Sequence, residues 1–125
     1  MSDNQKKLDD VMAIARLVDD ARARDTVALD VRESCSFADY FVIATVNSQG
    51  HLRGLIPQLD DLFRERDIVP LHPRKRNSEM GWVLIDLGYA VVHLMTDELR
   101  EFYELERLWF GSERIYSASS DSSDS

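Results

Sequence analysis

Residues 40–44, Tyr-Phe-Val-Ile-Ala, form an unbroken apolar run rich in β-formers, and a strand of that kind meets water on neither face. It belongs in the middle of a sheet, so the rest of the chain must supply flanking strands and amphipathic helices to cover it. Leu8, Val11, Met12, Ala15 and Val18 recur at helical spacing, which predicts a helix from residue 3 to about residue 23, ended by Arg24 and Asp25. Residues 26–31 alternate Val27, Leu29 and Val31 against Thr26, Ala28 and Asp30, a strand period that the polar residues 32–36 break. Asn47 and Ser48 are capping residues ahead of Leu52, Leu55, Ile56, Leu59, Leu62 and Phe63, which predicts a second helix to about residue 66. Gly50, Gly54 and Pro57 oppose it. Pro57 removes the amide that would bond the carbonyl of Arg53, so a kink or a late start is expected.

Farther along, residues 68–72 read as a short edge strand, restricted by Pro70 and Pro73, and residues 74–80 as a polar loop. Residues 82–87 and 90–95 are two strong strands joined through Gly88 in the manner of a hairpin. Thr96 can cap a third helix, with Asp97 and Glu98 set against its positive end and Leu99, Phe102, Tyr103, Glu106 and Trp109 continuing the turns until Gly111 stops it. The Ser/Asp-rich remainder lacks the apolar residues that would offset ordering entropy and is expected to be disordered. The expected architecture is an α/β domain over residues 1–110, a mixed five-stranded sheet with three main helices packed on its faces, followed by a disordered tail over residues 111–125.

Composition narrows the function. A chain of 125 residues with 44% apolar content supports one packed core and no second domain. Its single cysteine, Cys35, allows no internal disulfide, which fits a reducing, cytoplasmic setting. The first ten residues are polar and mixed in charge, and no apolar run approaches the roughly 20 residues that span a bilayer, so neither secretion nor a membrane partner is expected. A formal net charge of −8 argues against DNA and leaves RNA contact peripheral at most, because phosphate binding needs clustered Lys and Arg. The segment 111–125 holds only Glu113, Asp121 and Asp124 against Arg114, so most of the acidity belongs to the domain, and a basic protein surface suits it best.

Catalytic signatures are missing. The chain has no phosphate-cradling glycine loop, no dinucleotide fingerprint, no His-Glu-x-x-His and no paired-cysteine metal site, so neither an enzyme nor a cofactor or metal is expected. His51, His72 and His93 share no ligand spacing, and His93 within an apolar strand reads as a satisfied core histidine. The pairs Asp9-Asp10, Asp19-Asp20 and Asp60-Asp61 point about 100° apart on a helix and read as solvated faces. Arg74, Lys75 and Arg76 form one basic run, a rim contact at most.

The strand from Trp82 is the segment that asks for a partner. Trp82, Leu84 and Asp86 share one of its faces and Val83, Ile85 and Leu87 the other, although a covering helix would account for Trp82 as well as an interface would. Four motifs occur here in order: Ser36-Phe37-Ala38-Asp39-Tyr40-Phe41-Val42-Ile43-Ala44-Thr45, Trp82-Val83-Leu84-Ile85-Asp86-Leu87-Gly88, Val91-Val92-His93, and Arg100-Glu101-Phe102-Tyr103-Glu104-Leu105-Glu106-Arg107-Leu108-Trp109. With them the chain resembles the ribosomal silencing factor family, also called Iojap-like, over about residues 8–109. The resemblance implies a translation repressor that binds the large ribosomal subunit through ribosomal protein fourteen and sterically blocks the small subunit, for example under nutrient limitation. It implies a nucleotidyltransferase-like topology without the Gly-Ser and Asp-x-Asp residues that hold catalytic metals in those enzymes. It also implies a partner-binding surface of Trp82, Leu84, Asp86 and Leu87 beside Glu101 and Tyr103. Two departures stand out: Tyr89 occupies a turn position that is usually acidic in the family, and Pro57 interrupts a helix that relatives continue. A homo-oligomeric adaptor, or a homodimer off the ribosome, and a nucleotidyltransferase-related enzyme are the alternative readings.

Overall fold

The computed structural model describes residues 3–33, 36, 38–71, 75–77, 82–98 and 113–117. Helix α1 (Asp3–Asp20) buries Val11, Ile14, Ala15 and Val18, with Ile14 rather than the half-buried Met12 completing the stripe. It ends when Arg22 turns left-handed at φ 75°, so that the Ala23 N–H reaches back to the Val18 carbonyl at 3.0 Å and closes the last turn. Helix α2 (Gln49–Glu65) starts at Ser48, whose hydroxyl accepts from the His51 N–H at 3.0 Å, and it runs through Pro57 without a late start. Asp67 at φ 58° closes α2 in the way Arg22 closes α1, with the Ile68 N–H donating to the Phe63 carbonyl at 2.8 Å.

The strands are β1 (Arg24–Asp30), β2 (Tyr40–Val46), β3 (Lys75–Asn77), β4 (Trp82–Asp86), β5 (Ala90–Thr96) and β6 (Glu113–Ser117). They form one six-stranded sheet in the order β3-β4-β5-β2-β1-β6. The central pair, β2 with β5, is parallel and in register from Tyr40 opposite Ala90 to Val46 opposite Thr96, and the flanking pairs are antiparallel. Every residue of β2 is buried, as its uninterrupted apolar run requires.

Three expectations are corrected. Of the strand expected over residues 68–72, residues 68–71 are not a strand, because the Ile68 N–H is spent on closing α2 and Pro70 has no N–H to offer a ladder, and His72 lies outside the described residues. Instead β3 lies within the expected loop, pairing Lys75 with Leu84 and Asn77 with Trp82. Residues Glu113–Ser117, expected within the disordered tail, pair with β1 from Asp30 opposite Glu113 to Val27 opposite Ser117. The sheet therefore has six strands and not five. Asp97 and Glu98 begin a helical turn after β5, and the rest of the expected third helix lies outside the described residues.

Two cores divide the sheet. On one face α1 and α2 pack over Ala28, Val42, Ala44, Ile85, Val92 and Leu94. On the other, Val27, Leu29, Val31, Phe41, Ile43 and Val91 form a second cluster that Leu84 borders. Both described helices thus lie on the first face, and β4 carries the second face toward the β3 edge of the sheet.

Candidate docking face

Strand β4 alternates as its sequence predicts: Trp82, Leu84 and Asp86 are half-buried, while Val83, Ile85 and Leu87 are buried in the helix-covered core. Antiparallel register sets Trp82 opposite Met95, Leu84 opposite His93 and Asp86 opposite Val91. The half-buried row of β4 therefore stands beside a buried row on β5. Leu87 does not join it; its side chain lies in the opposite core, and its N–H donates to the Ala90 carbonyl at 2.8 Å to close the hairpin. Glu101 and Tyr103 lie outside the described residues.

His93 is the polar member of the buried row. Its ring meets Phe41 edge-on, with centroids 5.3 Å apart, and burial depresses its pKa to about 4, so the imidazole is neutral near pH 7. It is a core histidine, as expected, but not a satisfied one, because Nδ1 is buried without a hydrogen-bond partner among the described residues.

Asp86 has a structural task as well. Its Oδ1 accepts from the Gly88 N–H at 2.8 Å and its carbonyl accepts from the Leu71 N–H at 2.8 Å. Gly88 adopts φ 91°, a conformation that side chains resist, so the carboxylate and the glycine together fix the turn. The next residue, Tyr89, offers its carbonyl to the N–H groups of Asp39 and Tyr40 at 2.8 and 3.1 Å, which ties the hairpin tip to the start of β2.

The Tyr89 ring turns toward α1. Its hydroxyl approaches Asp10 Oδ2 at 3.3 Å, and Lys7 Nζ lies 5.8 Å from the ring centroid. Burial, reinforced by the Asp10 charge, pushes the phenol well above its usual pKa. Asp10 is also bonded by Lys6 Nζ and Arg66 Nε, each at 2.8 Å, which joins the start of α1 to the end of α2. Burial alone would raise the Asp10 pKa, but these two cations outweigh it and hold the carboxyl below its usual range. Reading Asp9-Asp10 as a solvated pair missed this cluster. Asp10 stands four residues before Ile14, on the buried stripe, and that spacing was the available signal.

Lys6, Lys7, Asp10, Asp67, Ile68, Val69 and Tyr89 line a cleft of about 220 Å³ beside the hairpin tip. Among the described residues there is no group of three or more His, Cys, Asp or Glu that could hold a metal ion, and no helix is long and apolar enough to cross a membrane.

A family model described as ribosomal silencing factor during starvation matches residues 4–125. The chain belongs to the ribosomal silencing factor family. Among curated relatives, the ribosomal silencing factor of Treponema pallidum is 38% identical over 98 residues, covering 78% of this chain and 86% of its own. The mouse protein named mitochondrial assembly of ribosomal large subunit protein 1 is 31% identical over 102 residues, 80% of this chain and 45% of its own length. A crystal structure of a Chromobacterium violaceum protein superposes with a TM-score of 0.71 at 23% identity, covering 87% of this chain and 95% of that one, and shares the fold. In this silencing-factor chain the tryptophan motif thus lies one strand in from the sheet edge, on the half-buried row of β4 between β3 and β5.

Proposed function

We propose that this member of the silencing factor family represses translation by binding the large ribosomal subunit through ribosomal protein fourteen and blocking small-subunit joining. The observation that carries the reading is the half-buried row Trp82, Leu84 and Asp86 on a strand whose other face is locked into the core. An aromatic and a leucine held half-open on a rigid sheet are suited to act as anchors in an interface centre. The net charge of −8 suits a basic ribosomal partner, and Asp86 sits where it can meet a Lys or Arg while still bracing the turn. The name of the mouse relative points to the large subunit. Glu101 and Tyr103 complete the proposed surface, and the protein works in the cytoplasm, catalysing nothing, on a topology related to nucleotidyltransferases.

The test is co-sedimentation with purified large subunits, followed by a subunit-joining assay. The native chain is expected to migrate with the large subunit and to reduce formation of the joined ribosome. Trp82→Ala is expected to weaken binding by about 2–4 kcal/mol, or roughly 30-fold to 1,000-fold, at unchanged circular dichroism. Full co-sedimentation of that variant would remove Trp82 from the surface.

A further inference from the structure

Strand β3 is basic on an acidic chain. Lys75 and Arg76 precede Asn77 in it, and Arg74, outside the described residues, stands next to it in the sequence, while the whole chain carries a net charge of −8. The strand ends the sheet, with β4 as its neighbour. The β4 residues that meet it in register, Trp82, Val83 and Leu84, carry no charge, and the carboxylate of Asp86 farther along accepts from the Gly88 N–H. No carboxylate of β4 is therefore set in register against these cations.

Elsewhere in the molecule much of the positive charge is neutralised where it stands. Lys6 and Arg66 pair with Asp10, Arg24 with Asp97, Arg32 with Asp30 and Arg64 with Asp61. The result is an acidic body with a basic margin at β3. RNA phosphates suit such a margin better than protein carboxylates do. They follow one another along a backbone that holds condensed counterions, so adjacent cations gain there by releasing those ions, and a guanidinium matches phosphate oxygens two at a time.

We propose that the β3 edge is a phosphate-contacting margin, where Lys75 and Arg76 meet backbone phosphates of the large-subunit RNA. This rests on the proposed ribosome-binding reading. The contact also orients the protein, because RNA attracts the basic margin and repels the acidic body, so the β3 end of the sheet is the end that turns toward RNA. The charge of β3 and the uncharged register of β4 select the occupant, whichever residues make the contact with ribosomal protein.

The experiment measures binding of the full chain to purified large subunits over about 50–200 mM salt, the range in which phosphate contacts are most visible. It compares the native chain with Lys75→Gln/Arg76→Gln and with the charge-keeping Lys75→Arg/Arg76→Lys, using circular dichroism and light scattering on each. Every phosphate contact adds about 0.7–0.9 to the slope of log affinity against log salt, so the neutralised variant should show a slope shallower by about one to two. Its affinity should fall by about threefold to tenfold, and the charge-keeping variant should retain both properties. Unchanged affinity and slope in the neutralised variant would overturn the RNA contact and leave the ribosome-binding reading standing. A loss of affinity at constant slope would overturn it too, since the cations would then meet protein carboxylates. Self-association of that variant with native ribosome binding would mean that the cations serve only to keep the sheet edge from pairing with other sheets. If the native chain itself fails to bind, both readings fall. Should the double variant lose its fold, the single substitutions Lys75→Gln and Arg76→Gln carry the same comparison, each with a slope shallower by about one.

Discussion

At the scale of single residues, His93 makes the clearest thermodynamic prediction. Its imidazole is buried against Phe41 with a pKa of about 4 in the folded chain, against an ordinary value of about 6.5 once unfolded. Between those values the unfolded chain binds a proton that the native chain refuses, so stability should fall as pH drops from about 6.5 to about 4. The loss attributable to His93 is about 3 kcal/mol across that window. His93→Leu should flatten the slope of urea-unfolding stability against pH in that range, and an unchanged slope would mean that the ring protonates freely in the folded protein. Asp10 acts lower on the scale: its carboxyl, held down by Lys6 and Arg66, contributes stability above its ordinary value and loses it only as pH falls through the depressed one. Tyr89, at the hairpin tip, bonds to Asp10 through its hydroxyl and faces Lys7 with its ring, so much of it is spent inside the molecule.

At the scale of elements, both described helices end on a residue with a side chain in the left-handed region, Arg22 at φ 75° and Asp67 at φ 58°. Glycine adopts that conformation without the Cβ penalty, and the penalty removed exceeds the extra freedom that glycine has when unfolded. Arg22→Gly and Asp67→Gly should each raise unfolding stability by about 0.5–1 kcal/mol, read as a higher denaturant midpoint at constant slope. The elements also show what the sequence makes legible. The apolar run at Tyr40, the alternation from Trp82 and the helical stripes of α1 and α2 announce themselves because burial selects their side chains. The edge strands β3 and β6 do not. Lys75-Arg76-Asn77 and Glu113-Arg114-Ile115-Tyr116-Ser117 are held by backbone pairing at the sheet margins, where side chains are free to be polar. The apolar residues Ile68, Val69 and Leu71 misled in the opposite sense, since their backbone amides serve a helix end and a single bond to Asp86. Of the expected docking residues, Trp82, Leu84 and Asp86 fall together by simple alternation, whereas Leu87 could have been excluded by the same parity.

For the whole molecule, β6 is both the last described strand and an outer one, fastened by the pairing with β1 and by the Tyr116 hydroxyl donating to Asp19 Oδ2 at 2.6 Å. Ending the chain at residue 112 should lower the thermal midpoint by several degrees and leave β1 as a bare edge that promotes self-association, measurable by scanning calorimetry and light scattering. A monomer of native stability would show that β6 contributes nothing. The parallel contact of β2 with β5 has a consequence for how the protein is made. Its partners are separated by fifty residues of chain, from Tyr40 to Ala90, so the middle of the sheet cannot close until β5 has been synthesised and has left the ribosome. The Trp82 row is antiparallel to that same late strand. A newly made chain therefore lacks the ordered Trp82 row, and with it the proposed docking surface, until β5 is available to pair with β4.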